Sequence, residues 1–130
     1  RYTRTDSALE AARALADRVE LVVVSRGRKG LVAIDAGRGQ VLERPGFVVE
    51  RANATGAGDT LVAALVTAVV AGRELGEALD FAQLVAAARV AGTAAHGMPP
   101  GREALSAFAG TYGAREKELV EETLDQLASR

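Results

Sequence analysis

Apolar residues change their spacing several times along the 130-residue chain, and each change marks an element. Leu9, Ala12, Leu15 and Ala16 recur at helical spacing, with Glu10, Arg13 and Asp17 on the other faces. This pattern predicts a helix over residues 7–18, with Asp6 or Ser7 as its N-cap. Leu21-Val22-Val23-Val24 follows as a short, uninterrupted, β-branched run, the pattern of a strand buried on both faces. A helix followed at once by such a strand predicts a parallel α/β sheet. Residues 25–30 form a turn, and residues 31–35 and 40–43 read as two strands of a hairpin around Gly37-Arg38-Gly39. Pro45-Gly46 breaks the chain again, and residues 47–50 read as a further short strand.

The second half has a different texture. Residues 61–71 are apolar almost throughout, which predicts a helix starting near Gly58, buried on every side, with Gly72 as its C-terminal glycine. A run of that length spans about 16 Å as a helix, against the roughly 30 Å of a bilayer core. It therefore reads as a buried helix and not as a membrane span. Residues 75–91 predict an alanine-rich helix with Leu79, Ala82, Val85 and Ala86 on one face. Residues 92–101 form a loop that holds His96, Gly97, Pro99 and Pro100, and residues 102–109 a short helix. After a break at 110–113, residues 114–128 form a charged amphipathic helix. Its stripe of Val120, Leu124 and Leu127 is narrow, so it is expected to pack on the domain surface.

Composition narrows the function classes. The chain is 48% hydrophobic and 25% charged, with 14 glycines and 3 prolines, which excludes a disordered or collagen-like chain. Sixteen Lys and Arg against 17 Asp and Glu leave a net charge of -1, so the electrostatic footprint of a nucleic-acid binder is missing. With no cysteine there is no disulfide and no thiolate metal site. No charged-then-apolar leader pattern is seen, and a soluble, cytoplasmic protein without membrane partners is expected. The chain starts at Arg1, not at a methionine, as expected for a protein that is processed or cut from something longer. His96 reads as a surface loop residue and Lys29 as a solvated turn lysine.

Candidate chemistry is concentrated in Thr55-Gly56-Ala57-Gly58-Asp59. Two glycines permit a sharp turn and close approach of a ligand to the backbone. A helix begins there, and helix N-termini carry backbone N–H groups without partners together with partial positive charge. The N–H groups of Ala57, Gly58 and Asp59 are thus placed to converge on an anion, most naturally a phosphate. Asp59 has two readings. It is a dipole-favoured acid in a first helical turn, worth about 0.3–1 kcal/mol, or it is a general base beside a phosphate hole, worth about 10²–10⁴ in rate. A short Gly-x-Gly does not by itself choose between them. Rival phosphate motifs fare worse. No Gly-x-x-x-x-Gly-Lys-Ser/Thr run is present, and a Gly-x-Gly-x-x-Gly fingerprint starting at Gly56 fails at Leu61.

Ala54 to Thr60, read as Ala-Thr-Gly-Ala-Gly-Asp-Thr and followed by a long apolar helix, resembles the C-terminal signature of the ribokinase-like (PfkB) carbohydrate kinases. Val22-Val23-Val24-Ser25-Arg26-Gly27-Arg28-Lys29-Gly30 is similar to that family's strand ending in Thr-x-Gly-x-x-Gly. Glu77-Ala78-Leu79-Asp80-Phe81-Ala82-Gln83 is similar to its helix beside the adenine. The resemblance covers about residues 6–109. It implies the C-terminal part of a three-layer α/β/α sandwich with a mostly parallel sheet, of which one parallel strand and the antiparallel edge strands are expected here. Residues 1–109 would be the nucleotide-binding part and residues 110–130 a helical tail.

The same resemblance implies transfer of the ATP γ-phosphate, with Mg²⁺, to a hydroxyl of a sugar, sugar phosphate or nucleoside. Asp59 falls on the family's catalytic base, and Thr55, Gly56, Ala57 and Gly58 on its anion hole. Ser25, Gly27 and Gly30 fall on a loop near ATP, and Gln83 near the adenine. Asn53 falls where many members carry an Asp that helps to hold K⁺; it keeps an oxygen ligand and loses the charge, which weakens the case for K⁺. Arg26 stands where an apolar residue is usual, and the loop 92–100 departs from the family pattern. The N-terminal half, with most of the acceptor site, is not in this chain. The implied partners are a small molecule with an acceptor hydroxyl, and a second copy or another chain supplying that half. A non-catalytic ATP-binding remnant is the alternative to an active kinase.

Overall fold

The computed structural model describes residues 4–17, 19–26, 29–46, 57–91 and 101–129. Its elements run α1 (Arg4–Ala16), β1 (Leu21–Ser25), β2 (Leu31–Asp35), β3 (Gln40–Arg44), α2 (Ala57–Val70), α3 (Leu75–Val90), α4 (Arg102–Gly110) and α5 (Ala114–Ala128). They fall into two compact units, Arg1–Phe47 and Val48–Arg130. The strand expected at 47–50, the loop at 92–100 and His96 lie outside the described residues.

In the first unit α1 begins at Arg4, so Asp6 and Ser7 lie inside the helix and not at its cap. Start signals of this kind place a boundary only to within about a turn. The three strands form a sheet of order β1-β2-β3, antiparallel throughout. The hairpin falls where its pattern placed it. Asp35 pairs with Gln40 across the turn, and the Arg38 amide donates to Asp35 Oδ1 at 3.1 Å. One face of the sheet packs under α1, with Ala12, Val22 and Ile34 at its centre and Leu9 and Val24 beside them. Leu15, expected on that buried stripe, is half exposed.

The strand buried on both faces is β2, not β1. Leu31, Val32, Ala33 and Ile34 are all buried, whereas Leu21 is exposed and Val23 and Val24 are half-buried. The reason is position. β2 lies between two hydrogen-bonded neighbours and β1 has one among the described strands. The parallel pairing expected of β1 is not found among the described residues, where its partner is the antiparallel β2.

In the second unit α2 ends on Gly72, at φ 93°. The Gly72 amide donates to Val69 O at 3.0 Å and the Arg73 amide to Ala68 O at 3.1 Å. This is the Schellman pattern, which requires a left-handed residue and so favours glycine. The short connection turns the chain back, and α3 packs along α2. Ala64 and Ala68 on α2 are buried, as is Ala71 directly after it, and so are Ala78, Leu79, Phe81, Ala82, Leu84, Ala87 and Ala88 on α3. Of the face expected on α3, Leu79 and Ala82 are fully buried and Val85 and Ala86 half-buried. α2 is not covered all round: Val62, Val66, Val69 and Val70 are exposed. The expectation rested on hydrophobicity alone, which does not say how many faces have a neighbour.

α4 and α5 form a helical hairpin against α3. Leu105 and Ala109 meet a stripe of Leu119, Val120 and Thr123, with Leu124 and Leu127 half-buried at its edge. Ser106 Oγ donates to Glu121 Oε2 at 2.7 Å, and Arg102 Nη2 lies 2.7 Å from Asp125 Oδ1. Arg73 ties this hairpin to the α2–α3 corner. Its Nε donates to Thr123 Oγ1 at 3.0 Å, and that fully buried hydroxyl donates in turn to Leu119 O at 2.7 Å. Glu77 and Glu122 each lie 3.6 Å from the guanidinium, whose side chain is only 9% exposed.

Both the arginine clasp and the glycine turns can be tested by substitution. Arg73→Ala leaves the Thr123 hydroxyl short of a donor, and the half-exposed glutamates contribute little. A loss of about 1.5–3 kcal/mol is expected, read by denaturant unfolding; a loss below about 0.5 kcal/mol, the usual range for a surface substitution, means that the clasp carries no energy. Gly30 sits at φ 90°, and a Cβ there would run into the Arg44 carbonyl. Gly39 sits at φ 66° with nothing near a Cβ. Gly30→Ala should therefore cost about 2–4 kcal/mol, left-handed strain plus overpacking, and Gly39→Ala about 1–2 kcal/mol from strain alone. Equal losses in thermal unfolding would refute the close approach at Gly30.

Candidate functional site

α2 brings its first turn to the surface. Ala57 is its first residue, and Gly58 and Asp59 are exposed. The N–H groups of a helix's first turn have no partner within it, so those of Ala57, Gly58 and Asp59 point out of the end that carries partial positive charge. A Cβ built on Gly58 meets nothing within 4 Å among the described residues, so no close approach there requires glycine. Asp59 stands in the same turn. The turn thus combines anion-binding donors with a solvent-facing carboxylate. A carboxylate of this kind can accept a proton only from a group brought within hydrogen-bonding reach.

Thr55, Gly56 and Asn53 lie outside the described residues, as does Gly27. Gln83 is half-buried on α3, in the same compact unit as Asp59. Ser25 and Gly30 belong to the other unit. Ser25 ends β1, exposed, and pairs with Leu31. Gly30 is buried at the close of the turn, where its carbonyl accepts from the Arg26 amide at 2.7 Å. Its φ and its approach to Arg44 already require glycine, whatever the turn binds.

Two arginines have structural roles that residue type did not reveal. Arg26 folds over its own turn, with Nη2 3.5 Å from the carbonyls of Lys29 and Leu31 and 3.6 Å from Glu43 Oε1. That explains how a charged residue is accommodated at this position. Arg73 is the clasp described above; its only signal in the sequence is its place directly after the helix-ending Gly72. Lys29 is exposed, as expected.

A half-open cleft of about 280 Å³ lies elsewhere in the second unit, lined by Arg73, Glu77, Arg115, Glu118, Leu119 and Glu122. None of the predicted site residues lines it. Its arginines are paired: Arg73 lies 3.6 Å from Glu77 and from Glu122 of the lining, and Arg115 lies 3.5 Å from Asp80 and 3.4 Å from Glu116 outside it. The Glu118 carboxyl is raised above its ordinary value by a hydrogen bond to Glu122 and by that neighbour's charge. Among the described residues no group of three or more His, Cys, Asp or Glu is placed to hold a metal ion. Nor is any described helix long and apolar enough to cross a membrane.

Comparison with known proteins places this geometry. The chain is 34% identical over 110 residues to a bifunctional protein HldE of Hahella chejuensis, an alignment covering 82% of this chain and 23% of that protein. It is 32% identical over 103 residues to a ribokinase of Haemophilus influenzae, covering 78% of this chain and 33% of the enzyme. Its fold superposes on a ribokinase of Arabidopsis thaliana solved with ribose and ATP, with a TM-score of 0.69 and 27% identity over 82% of this chain and 34% of the other. The chain thus spans about a quarter to a third of the length of these relatives, and its α/β architecture is a portion of the ribokinase fold. Residues 3–100 match the model of the pfkB family carbohydrate kinases, and the chain belongs to that family.

Proposed function

We propose that this chain carries the catalytic carboxylate and part of the nucleotide site of an ATP-dependent kinase acting on a hydroxyl of a sugar, sugar phosphate or nucleoside. The observation that carries the reading is the first turn of α2, where Asp59 is exposed beside open backbone donors in a chain of the pfkB family. Asp59 is the general base: it accepts the proton of the acceptor hydroxyl as that oxygen attacks phosphorus. Thr55, Gly56, Ala57 and Gly58 form the anion hole, whose N–H groups hold the oxygens of the transferring phosphoryl group as their charge shifts.

The N–H groups of Ala57, Gly58 and Asp59 at the start of α2 are donors suited to a phosphate, which supports ATP as the nucleotide. Ser25, Gly27 and Gly30 would border it, and Gln83 would lie toward the adenine. When bound, ATP supplies the phosphoryl group and Mg²⁺ neutralises its charge. Mg²⁺ is held in such sites by one or two carboxylates together with phosphate oxygens and water. Asn53 is the candidate oxygen ligand for K⁺, without a charge to strengthen it. Residues 1–109 would serve the nucleotide, and the tail 110–130 would brace the helices behind it. The reading places the protein in the cytoplasm, where ATP is available.

The test compares Asp59→Asn with the native sequence in a kinase domain containing this chain. Turnover with a panel of sugars and nucleosides, read as ADP release, should fall at least about 10²-fold. ATP affinity, read by calorimetry, should change less than about threefold, since the amide keeps the backbone donors in place. Undiminished turnover would remove Asp59 from the base role. Binding of NAD in preference to ATP would overturn the kinase reading itself.

A further inference from the structure

The turn between β1 and β2 holds a largely buried cation. Arg26 follows β1 directly, and its side chain is only 13% exposed. Burying a guanidinium is costly unless its donors are used. Nη2 donates to Lys29 O and to Leu31 O, each at 3.5 Å, and lies 3.6 Å from Glu43 Oε1. The Glu43 side chain is 62% exposed, so that ion pair contributes little. Nε is buried without a hydrogen-bond partner. What the guanidinium accomplishes therefore lies in the two carbonyls it holds.

One peptide of the turn depends on that hold. Among the described residues two backbone hydrogen bonds close the turn. The Arg26 amide donates to Gly30 O at 2.7 Å, and the Lys29 amide to Arg26 O at 3.1 Å. The peptide between those groups, Lys29 C=O with Gly30 N–H, takes part in neither. Gly30 sits at φ 90°, and glycine adopts positive and negative φ about equally well. Backbone sterics at Gly30 therefore leave this peptide free to turn over. The Arg26 guanidinium keeps the Lys29 carbonyl on its own side, and a planar trans peptide then directs the Gly30 N–H to the other.

Resting on the kinase reading above, we propose that Arg26 is a positioning residue for ATP: its guanidinium fixes the Lys29–Gly30 peptide, and with it the surface that the turn offers the nucleotide. Ser25, Gly27 and Gly30 border ATP in that reading, and Arg26 acts through the turn without touching the nucleotide. Leucine in place of Arg26 sets an apolar group against the Lys29 carbonyl. Residue 29 is exposed, so the carbonyl turns toward water and the flipped peptide becomes the major form. ATP then binds only the fraction left in the original orientation, and its apparent affinity falls accordingly.

The test uses the kinase domain that contains this chain, with ATP and Mg²⁺ as the probe in calorimetry. Arg26→Leu should weaken ATP binding about tenfold. Its KM for ATP should rise to match, while kcat with the best acceptor of the panel changes less than about twofold. Arg26→Lys should also lose affinity, by at least about threefold, because a point charge does not span both carbonyls. Full affinity in the lysine variant means that charge alone serves ATP, and overturns the proposal. Unchanged ATP affinity in Arg26→Leu, with lowered thermal stability, means that the guanidinium only braces the hairpin, and overturns it too. If the leucine variant does not fold, the lysine variant decides. A native-sequence domain that binds no ATP overturns the kinase reading and this proposal together. Native binding with unaltered variants removes Arg26 from its role and leaves the kinase reading standing.

Discussion

The approach of α2 to α3 governs the second unit, and it is made possible by small side chains. Ala64 and Ala68 recur along one stripe of α2, continued by Ala71 directly after it, and Ala78, Ala82 and Ala88 are likewise buried on α3. Alanine loses little side-chain entropy on burial and lets helix backbones come close. The larger Phe81, Leu79 and Leu84 fill the volume that remains around the seam. Gly72 then turns the corner in a conformation that an L-residue resists. With that seam and corner fixed, the rotation of α2 about its own axis is fixed too. The rotation decides that Asp59 and the valines face outward together.

The α4–α5 hairpin reinforces the corner. Residues 101–130 lie beyond the matched family region, yet α5 supplies the buried threonine that receives Arg73. A guanidinium with so little exposure needs partners for its donors. Nε has a good one, whereas Nη2 has none within hydrogen-bonding distance and relies on Glu122 at 3.6 Å. The clasp therefore acts through one well-made hydrogen bond supported by two longer ion pairs. Its effect is to hold the end of α2 remote from Asp59, so that the helix does not shift along its axis.

How much of this is legible in the residues depends on whether the signal is local. The hairpin at 31–44, the span of α5 and the glycine corner at 72 stand where their patterns place them, because turn chemistry and apolar period act over a few residues. Burial departs from the pattern where it depends on neighbours. Leu21 to Val24 and Leu31 to Ile34 are both short apolar runs, and only sheet order distinguishes the central strand from its neighbour. α2 is apolar along most of its length, yet Val62, Val66, Val69 and Val70 are exposed, because hydrophobicity does not say how many faces have a neighbour. The kinship with the pfkB kinases is legible from Ala54 to Thr60, since that block joins a glycine-rich turn to a carboxylate and a long apolar helix.

That same block shows why a motif and a site are different things. The donors at the start of α2 attract an anion by helix geometry alone, and the Asp59 carboxylate stands in the same field. In open water the two compete, because a carboxylate beside a phosphate repels it, and bulk solvent already serves as a proton acceptor. A carboxylate in such a turn acts as a general base only when water is displaced and a donor hydroxyl is held within its reach. The apolar residues of α2 are divided by the seam with α3: alanines on one stripe close it and fix the rotation of the helix, and that rotation leaves Asp59 and the valines of the other stripe exposed.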